Sequence, residues 1–317
     1  MRSVFLDLGT VSNGDLDTSA LLTTLPGLAI HQQTPQDDVA TRIAGCEVVL
    51  LNKCRVTREM MVANPQLKLI ALTATGVDNV DVAAARELGV AVANLVDYCT
   101  PSLVQHVFAV LLSLTHRLPE YDRFARSGDW GRAGRFSVFP FPIRELRGLT
   151  LVIVGYGALG RGVARVAEAF GMNVQVANRP GGAPQPGRRD LAELLPEADV
   201  LSLHCPLTPA TRRMIGRREL ASMKPDAILI NTARGGLIDA AALAGALRAG
   251  RLGGAGIDVL EQEPPVDGSP LLDPDVPNLI ATPHIAWAAR ESRQRCLDEL
   301  AANVEAFLRG ERRHRVD

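Results

Sequence analysis

The sequence predicts an α/β protein built from two doubly wound parallel-sheet domains. Short runs rich in β-branched residues alternate with helix-like segments along the chain, a pattern typical of parallel sheets covered by helices on both faces. The alternation is interrupted once, near the middle of the chain, so the predicted strands fall into two groups. The length of 317 residues agrees with this division, since a domain holds roughly 150 residues.

The first group predicts one open sheet of five strands. Its apolar runs occupy residues 3–8, 28–31, 47–52, 67–74 and 90–95. Apolar residues at helical spacing mark the segments 35–44 and 81–88 between them. We therefore expect a complete strand–helix unit before residue 100.

A long apolar helix and an irregular segment separate the two groups. Thr100 and Pro101 suit a helix start, because threonine caps helices and proline fits the first helical position. We expect this helix to end near Arg117. The stretch 119–148 is too apolar for a plain linker and too broken for one element, so we predict an arm that packs on another surface; the alternative is an active-site lid.

The second group predicts a larger sheet. Its six apolar runs occupy residues 149–155, 173–178, 199–205, 227–233, 255–260 and 278–283, which matches a full dinucleotide-binding sheet. The tail, about 289–309, has the apolar spacing of one amphipathic helix. Because this helix follows the second sheet, we expect it to pack back on the first domain.

Composition and charge exclude several classes of protein. The net charge of −1 gives no field that would attract nucleic acid or an anionic membrane. The N-terminus has no signal-peptide pattern, and the charge-free stretch 98–116 is too interrupted to span a membrane. Five cysteines without CxxC spacing predict reduced, buried thiols in a cytoplasmic protein and no metal site.

A glycine-rich segment between a predicted strand and a predicted helix indicates a dinucleotide site. The sequence VGYGALG contains GxGxxG, in which the first glycine permits a tight turn, the second lets the backbone approach a pyrophosphate, and the third allows close packing of helix and strand. The helix N-terminus then faces the anion. The predicted contacts are Gly155, Tyr156, Gly157, Ala158, Leu159 and Gly160.

The end of the next predicted strand bears on the choice of nucleotide. NAD-selective sites carry Asp or Glu there, whereas this chain has Asn178 followed by Arg179. No acidic group repels a 2′-phosphate, and an arginine is suited to bind one. We therefore predict NADP(H) in preference to NAD(H). The alternative is that Arg179 stacks on adenine or points to solvent.

Three polar residues follow the last three predicted strands, at the sheet edge where such folds bind ligands. They are Arg234, Glu263 and His284. Arginine binds a carboxylate and polarises a carbonyl, histidine exchanges a proton near neutral pH, and a carboxylate beside histidine fixes its tautomer. Taken singly, each residue also has a non-catalytic interpretation. Arg234 is then a loop cation, Glu263 a solvated carboxylate and His284 a structural histidine. Their joint placement predicts a site for a keto acid.

These residues lie in segments that resemble a known family. INTARGGLIDAAALAGALRAGRLGGAGIDVLEQEPP, followed by LIATPHIAW, is similar to the D-isomer-specific 2-hydroxyacid dehydrogenases. The resemblance implies a flavodoxin-like substrate domain, residues 1–99 and 288–317, and an inserted Rossmann cofactor domain, residues 100–287. It also implies a homodimer formed through the cofactor domains and the 119–148 arm.

The resemblance also implies roles for single residues. Arg234 would bind the substrate, His284 would be the acid/base with Glu263 as its partner, and both Arg234 and His284 would border the cofactor. Thr75 and Gly76 match a loop whose N–H groups hold the substrate carboxylate, and Asn52 and Lys53 face the same cleft in such folds. The remaining cofactor-contact positions are Cys205, Pro206, Thr232, Ala233 and Asp258.

Within the family, DYCTPSLVQH and FSVFPFPIRELRG are most similar to the glycerate dehydrogenase/hydroxypyruvate reductase branch. That likeness implies hydride transfer from NAD(P)H to hydroxypyruvate or glyoxylate, giving D-glycerate or glycolate. Two alternatives stay open: a formate- or phosphite-type dehydrogenase, and a non-enzymatic dinucleotide sensor. Glu263 argues against the formate type, whose similar sites carry Gln there. Many members also have Asp where this chain has Asn178, which puts an NAD preference in doubt.

Overall fold

The computed structural model describes all 317 residues, which form two compact units. One unit comprises Met1–Cys99 and Trp287–Asp317, and the other comprises Thr100–Ala286. The chain therefore leaves the first unit once and returns to it, with the second unit inserted. The return falls one residue before the expected position 288. No helix has the length and apolar character needed to cross a membrane.

The first unit contains a five-stranded parallel sheet. All five predicted strands are present, as β1 (Ser3–Phe5), β2 (Ala29–Ile30), β3 (Val48–Leu51), β4 (Leu69–Leu72) and β5 (Ala91–Ala93). They lie in the order β2-β1-β3-β4-β5, which is the flavodoxin-like arrangement. The helices of this part of the chain are α1 (Ser19–Thr24), α2 (Val39–Ile43), α3 (Arg58–Val62) and α4 (Val82–Glu87).

The strand order of the first sheet reverses between β1 and β3, where ligands bind in such sheets. Buried Asp7 follows β1 and lies at this point. Its carboxylate accepts hydrogen bonds from the backbone N–H groups of Asn52 at 2.8 Å, Lys53 at 2.6 Å and Cys54 at 3.1 Å. Asp7 therefore fixes the turn after β3 that carries two of the predicted substrate residues.

The second unit contains a six-stranded parallel sheet. The six predicted strands are β6 (Thr150–Val154), β7 (Asn173–Val176), β8 (Val200–Leu203), β9 (Ile228–Asn231), β10 (Gly254–Ile257) and β11 (Leu279–Ala281). The helices are α5 (Thr100–His116), α6 (Leu118–Arg126), α7 (Asp129–Ala133), α8 (Ala158–Ala169), α9 (Leu191–Leu194), α10 (Arg217–Ser222) and α11 (Ala240–Arg248). Apolar clusters cover both faces of the sheet, as predicted for a doubly wound fold.

The order of this sheet is β11-β10-β9-β8-β6-β7. A parallel bridge joins Ala177 to Arg189 just beyond β7, where a dinucleotide-binding sheet has its third strand. That strand is reduced here to one bridge, which is why the sequence contains no apolar run for it. The order reverses between β6 and β8, so the end of β6 is the expected ligand position.

The segment expected to be irregular is partly helical. Residues 118–133 form α6 and α7, whereas 134–148 contain no helix or strand. Proline at the start of α6 suits the first turn of a helix, and this signal was outweighed by the aromatic and proline content of the whole segment. The arm has internal order, since the Tyr121 hydroxyl donates to the Phe141 carbonyl at 2.7 Å. Phe136 and Phe139 are nevertheless 96% and 82% exposed.

The C-terminal helix α12 (Arg290–Leu308) belongs to the first unit and packs against α1 and β4. Its buried face includes Leu297, Leu300 and Val304, the residues that predicted an amphipathic helix. All five cysteines are free and buried, as their spacing predicted.

Candidate active site

The glycine-rich segment forms a tight turn between β6 and α8. Gly155 has φ +97°, and a Cβ there would lie 2.5 Å from the carbonyl carbon of His204. A Cβ on Gly160 would lie 2.1 Å from the Gly155 carbonyl oxygen. Both positions require glycine, because the turn touches the end of β8 and the first turn of α8 packs on it.

The middle glycine differs from the other two. Gly157 has φ −79° and immediately precedes α8, and a Cβ there would have no neighbour within 4 Å. The space in front of Gly157 is therefore open, next to the free N–H groups of a 12-residue helix. This arrangement fits a dinucleotide pyrophosphate, since backbone donors and the positive end of the helix dipole face the same space.

The loop after β7 is closed by Asn178. Its side-chain Oδ1 accepts from the N–H of Gln185 at 3.1 Å, and its Nδ2 donates to Oδ1 of Asp190 at 2.8 Å. Both ends of the amide are therefore engaged within the loop. Arg179 is exposed and has no ion pair, and the guanidinium of Arg188 lies 5.9 Å from the ring centre of Tyr156.

The loop after β9 carries Arg234 and packs on the loop after β10. Buried Asn231 shapes it, accepting from the N–H of Ala233 at 3.0 Å and donating to the Arg234 carbonyl at 2.9 Å. A Cβ on Gly235 would lie 2.0 Å from the Leu260 carbonyl carbon. The two loops are therefore in backbone contact, which holds Arg234 beside the segment that leads to Glu263.

His284 and Glu263 form a hydrogen-bonded pair. His284 Nδ1 lies 2.6 Å from Glu263 Oε2, and Glu263 Oε1 accepts from the N–H of Leu260 at 2.8 Å. The carboxylate thus fixes one ring nitrogen and with it the orientation of the ring. The side chains are 27% and 34% exposed, so solvent reaches both. The predicted imidazole–carboxylate contact is present in the structure.

Asp258 lies under the loop that carries His284. Its Oδ1 accepts from the N–H of Ile285 at 2.8 Å and from the Thr282 hydroxyl at 2.5 Å, and its Oδ2 accepts from the N–H of Ala286 at 2.8 Å. The side chain is only 1% exposed, which was not expected for a cofactor-contact position. Sequence reasoning missed this structural role, since the spacing of residues 258 and 282–286 gives no sign of it.

The other predicted cofactor residues follow β8 and β9. Burial raises the pKa of Cys205 to about 11, so the thiol stays protonated, whereas Pro206 is exposed. Thr232 is buried with no partner for its hydroxyl, and Ala233 is half-buried. His204 bonds Ser202 Oγ at 2.8 Å through Nε2, and burial lowers its pKa to about 4.

The predicted substrate residues Asn52, Lys53, Thr75 and Gly76 all lie in the first unit. The amide of Asn52 donates to the Thr10 hydroxyl at 2.8 Å, so this side chain is engaged as well as buried. Lys53 is exposed and follows Asn52 in the turn held by Asp7. Thr75 and Gly76 lie in the loop after β4, where the Thr75 carbonyl accepts from the Asn94 amide at 2.7 Å.

The second unit has the topology of a dinucleotide-binding domain. Comparison with known families makes this specific: residues 108–286 match the model described as "D-isomer specific 2-hydroxyacid dehydrogenase, NAD binding domain". The chain is 46% identical over 284 residues to the glycerate dehydrogenase of Methylorubrum extorquens, covering 90% of this chain and 89% of the relative. It is 35% identical over 317 residues to the hydroxypyruvate reductase of Blautia hydrogenotrophica, covering 98% of each chain.

Solved structures agree with the sequence comparison. An acyclic imino acid reductase in complex with NADPH and D-Arg matches with TM-score 0.85 and 27% identity over all of both chains. The D-lactate dehydrogenase of Aquifex aeolicus, complexed with NAD and lactic acid, matches with TM-score 0.83 and 28% identity over 98% of this chain and 96% of that one. The chain belongs to the D-isomer specific 2-hydroxyacid dehydrogenase family, and it is an enzyme that transfers a hydride between NAD(P)H and a 2-keto acid.

Proposed function

We propose that this enzyme reduces a small 2-keto acid of the hydroxypyruvate or glyoxylate type, giving D-glycerate or glycolate. The observation that carries the proposal is the contact of 2.6 Å between His284 Nδ1 and Glu263 Oε2, next to the loop of Arg234. A keto acid offers a carboxylate to bind and a carbonyl oxygen that becomes negative as it is reduced. Arginine and a protonated imidazole meet both needs.

In the proposed mechanism, Arg234 and His284 act on the substrate oxygens, and Glu263 acts on His284. A nicotinamide nucleotide held at the glycine-rich turn would supply the hydride. Arg234 holds the substrate carboxylate and stabilises the negative charge that develops on the carbonyl oxygen. His284 donates the Nε2 proton to that oxygen, because Glu263 occupies Nδ1. Glu263 orients the ring and stabilises the protonated state that donates.

We propose that the second unit is the nucleotide-binding domain and the first unit the substrate-binding domain. The open space at Gly157 and the N-terminus of α8 support the first assignment. In the first unit we assign Thr75 and Gly76 to the substrate carboxylate, with Asn52 and Lys53 at the same site. The turn held by Asp7 supports the second assignment, because it lies where the strand order reverses.

We propose NADP(H) as the preferred nucleotide. No acidic residue occupies position 178, and exposed Arg179 directly follows it. The Asn178 amide is committed to its own loop, so it contributes by shaping that loop. Arg179 then remains available to pair with a 2′-phosphate. We assign Cys205, Pro206, Thr232, Ala233 and Asp258 to the nucleotide-facing edge of the sheet, together with Tyr156, Ala158 and Leu159 of the glycine-rich loop.

We propose that the enzyme is a homodimer in the cytoplasm. The arm presents Phe136 and Phe139 to solvent in a single chain, and large apolar side chains of this kind mark protein–protein contacts. Five free, buried cysteines are typical of a reducing compartment.

The decisive experiment measures oxidation of NADPH and of NADH with hydroxypyruvate, glyoxylate and pyruvate, and reduction of NADP⁺ and NAD⁺ with formate and phosphite. We expect turnover with a keto acid, faster with NADPH. His284→Ala should lower kcat by about 10²-fold or more while nucleotide affinity is retained. Turnover with formate or phosphite alone, no turnover with any substrate, or a His284→Ala variant near wild type would each contradict the proposal.

A further inference from the structure

We infer that Thr282 and His106 are positioning residues for His284, and that they act through the carboxylate of Asp258. The inference rests on the proposed function, because it takes His284 as the proton donor. The contacts that carry it lie within the second unit and connect residues 106, 258, 282 and 284–286.

Asp258 accepts hydrogen bonds from three successive backbone N–H groups of the His284 loop. The N–H of His284 donates to the Asp258 carbonyl at 2.8 Å, and the N–H groups of Ile285 and Ala286 donate to the two oxygens of the Asp258 carboxylate. Two of these three bonds therefore depend on the orientation of the Asp258 carboxylate. If that carboxylate rotates, two of the three bonds are lost.

The loop needs such bonds because its conformation is unfavourable. His284 has φ +57°, in the left-handed region, where a Cβ crowds the following carbonyl oxygen. Without external bonds this backbone would relax, and the imidazole would move with it. The Nδ1 atom would then leave its position beside Glu263.

Proton counting gives the chain of contacts a direction. The two oxygens of the Asp258 carboxylate already accept one N–H group each. The Thr282 hydroxyl donates its single proton to Oδ1 of Asp258 at 2.5 Å. Nε2 of His106, 3.2 Å from the same hydroxyl, must then be the donor to it. His106 thus fixes the hydroxyl, and the hydroxyl fixes the carboxylate.

His106 is itself held by a rigid element. It lies on the 17-residue helix α5, which contacts β10 so closely that a Cβ on Gly256 would be 2.3 Å from Cγ1 of Val110. The His106 side chain is 16% exposed, and its Nε2 is 3.8 Å from Oδ1 of Asp258. A core helix is thereby connected to the proposed proton donor through three side chains. Small displacements of a reacting group lower turnover steeply, by up to about 10²-fold for 1 Å.

The test removes the hydroxyl and keeps the shape of the side chain. Thr282→Val should lower kcat by about 10-fold or more, leave the dissociation constant of NADPH within about twofold, and leave the fold intact. Thr282→Ser, which retains the hydroxyl, should keep most of the wild-type kcat. Thr115→Val is the matched control, since buried Thr115 lies on α5 and its hydroxyl bonds only carbonyls of that helix.

A second pair of variants tests His106 independently. His106→Leu removes the donor and should lower kcat by about 2- to 10-fold, whereas His106→Gln offers an amide donor and should recover part of the loss. If Thr282→Val does not fold, the kcat values of His106→Leu and His106→Gln test the inference instead. Wild-type kcat in both Thr282→Val and His106→Leu, or equal losses in Thr282→Val and Thr282→Ser, would overturn the inference.

The inference can fail separately from the proposed function. If the wild-type enzyme reduces no keto acid, the proposed function fails. The positioning role of Thr282 is then tested by comparing crystal structures of the wild type and of Thr282→Val. We expect the variant to lose the contact between His284 Nδ1 and Glu263 Oε2 or the left-handed φ of His284. An unchanged loop would overturn it.

Discussion

Oε2 of Glu263 lies 2.6 Å from Nδ1 of His284, and the other oxygen of the same carboxylate is bound to the backbone of Leu260. The carboxylate therefore both aims the ring and places negative charge beside it. Replacing Glu263 by Gln keeps the size and removes the charge. We expect Glu263→Gln to lower kcat by about 10²-fold, with a smaller change in KM for the keto acid.

The control for this substitution is Glu261→Gln. Glu261 lies two residues earlier and pairs with Arg212 and Arg213 at the surface. Steady-state kinetics of both variants should separate a catalytic carboxylate from a loop carboxylate. Equal kcat values in the two variants would exclude the role we assign to Glu263.

The hydrogen bond between the side chains of Asn178 and Asp190 leads to a prediction about the preference for NADPH or NADH. Nδ2 of Asn178 donates to Asp190 at 2.8 Å, so Asn178→Asp alone would place two carboxylates in contact and open the loop. We expect that variant to weaken NADPH binding by about tenfold without a matching gain for NADH, since tenfold needs only about 1.4 kcal/mol. Asn178→Asp with Asp190→Asn restores one donor and one acceptor, and it should raise NADH affinity.

Fluorescence titration of both nucleotides with the two single variants and the double variant forms a double-mutant cycle. The single variant Asp190→Asn is the matched control, because it leaves position 178 uncharged. If the effects of the two substitutions add, the loop contact has no part in nucleotide choice.

Gly157→Ala should separate nucleotide binding from stability. The new methyl group meets no protein atom within 4 Å, and φ −79° suits alanine. Alanine is a poorer helix cap than glycine, so we expect a loss of stability of about 1 kcal/mol at most. Nucleotide affinity should fall by tenfold or more, because the methyl group occupies the space that we assign to the pyrophosphate.

Gly245→Ala is the matched control for Gly157→Ala. Gly245 lies inside α11, again with no neighbour for a Cβ, so the substitution should stabilise the protein by about 0.5–1 kcal/mol and leave nucleotide binding unchanged. Chemical denaturation and isothermal titration of both variants supply the two measurements. Wild-type affinity in Gly157→Ala would remove the pyrophosphate from this space.

His204 predicts a loss of stability in acid. Burial lowers its pKa from 6.5 to about 4, so the unfolded chain takes up a proton that the folded protein resists. His204 therefore does not lower the free energy of unfolding above about pH 6.5. Its destabilising effect grows as the pH falls towards 4. The expected size at full effect is about 3 kcal/mol, at 1.36 kcal/mol per unit of pKa.

The measurement is the free energy of unfolding of the wild type and of His204→Gln between neutral and mildly acidic pH. The difference between the two proteins should change with pH in favour of the variant at the acidic end. His116→Gln, at the exposed end of α5, controls for the loss of one histidine. A constant difference across the range would show that His204 is not the group responsible.

The arm predicts the assembly state. Substituting Phe136 and Phe139 together by Ser removes the two most exposed aromatic side chains. We expect light scattering to give a dimer for the wild type and a monomer for the double variant, because interface energy is concentrated in a few large side chains. Val62→Ser, at an exposed apolar residue of the first unit, is the control and should remain dimeric. A monomeric wild type, or a dimeric double variant, would exclude the arm as the interface.

The sequence predicted the strands because each lies in an apolar run, and most of these runs are buried. All eleven predicted strands are present, and the imidazole–carboxylate pair was found because strand ends of a parallel sheet share one edge. The vestigial strand at Arg189 was missed, since a single bridge needs no apolar run. Helix α6 was missed although Pro119 marks its start, because aromatic residues dominate the arm.

The support beneath the site was not predictable from spacing. His106 and Thr282 are 176 residues apart, and a histidine in an apolar helix looks like any core residue. Asp258 was predicted as a cofactor contact, and the hydrogen bonds of its carboxylate to backbone groups of the His284 loop are a further role that the sequence pattern did not indicate. Local pattern identifies residues at strand ends, but contacts between distant segments depend on packing that a pattern does not encode.

The point where the chain enters and leaves the second unit is tied by a hydrogen bond of 2.8 Å from the Ser102 hydroxyl to the Ala286 carbonyl. A domain whose two ends lie close together can be inserted into another protein at one point of its chain, with little distortion of the domain or of the host. The junction at residues 100 and 286 is therefore the natural cut site for exchanging this domain with that of a relative, and the same closeness makes a circularly permuted version feasible.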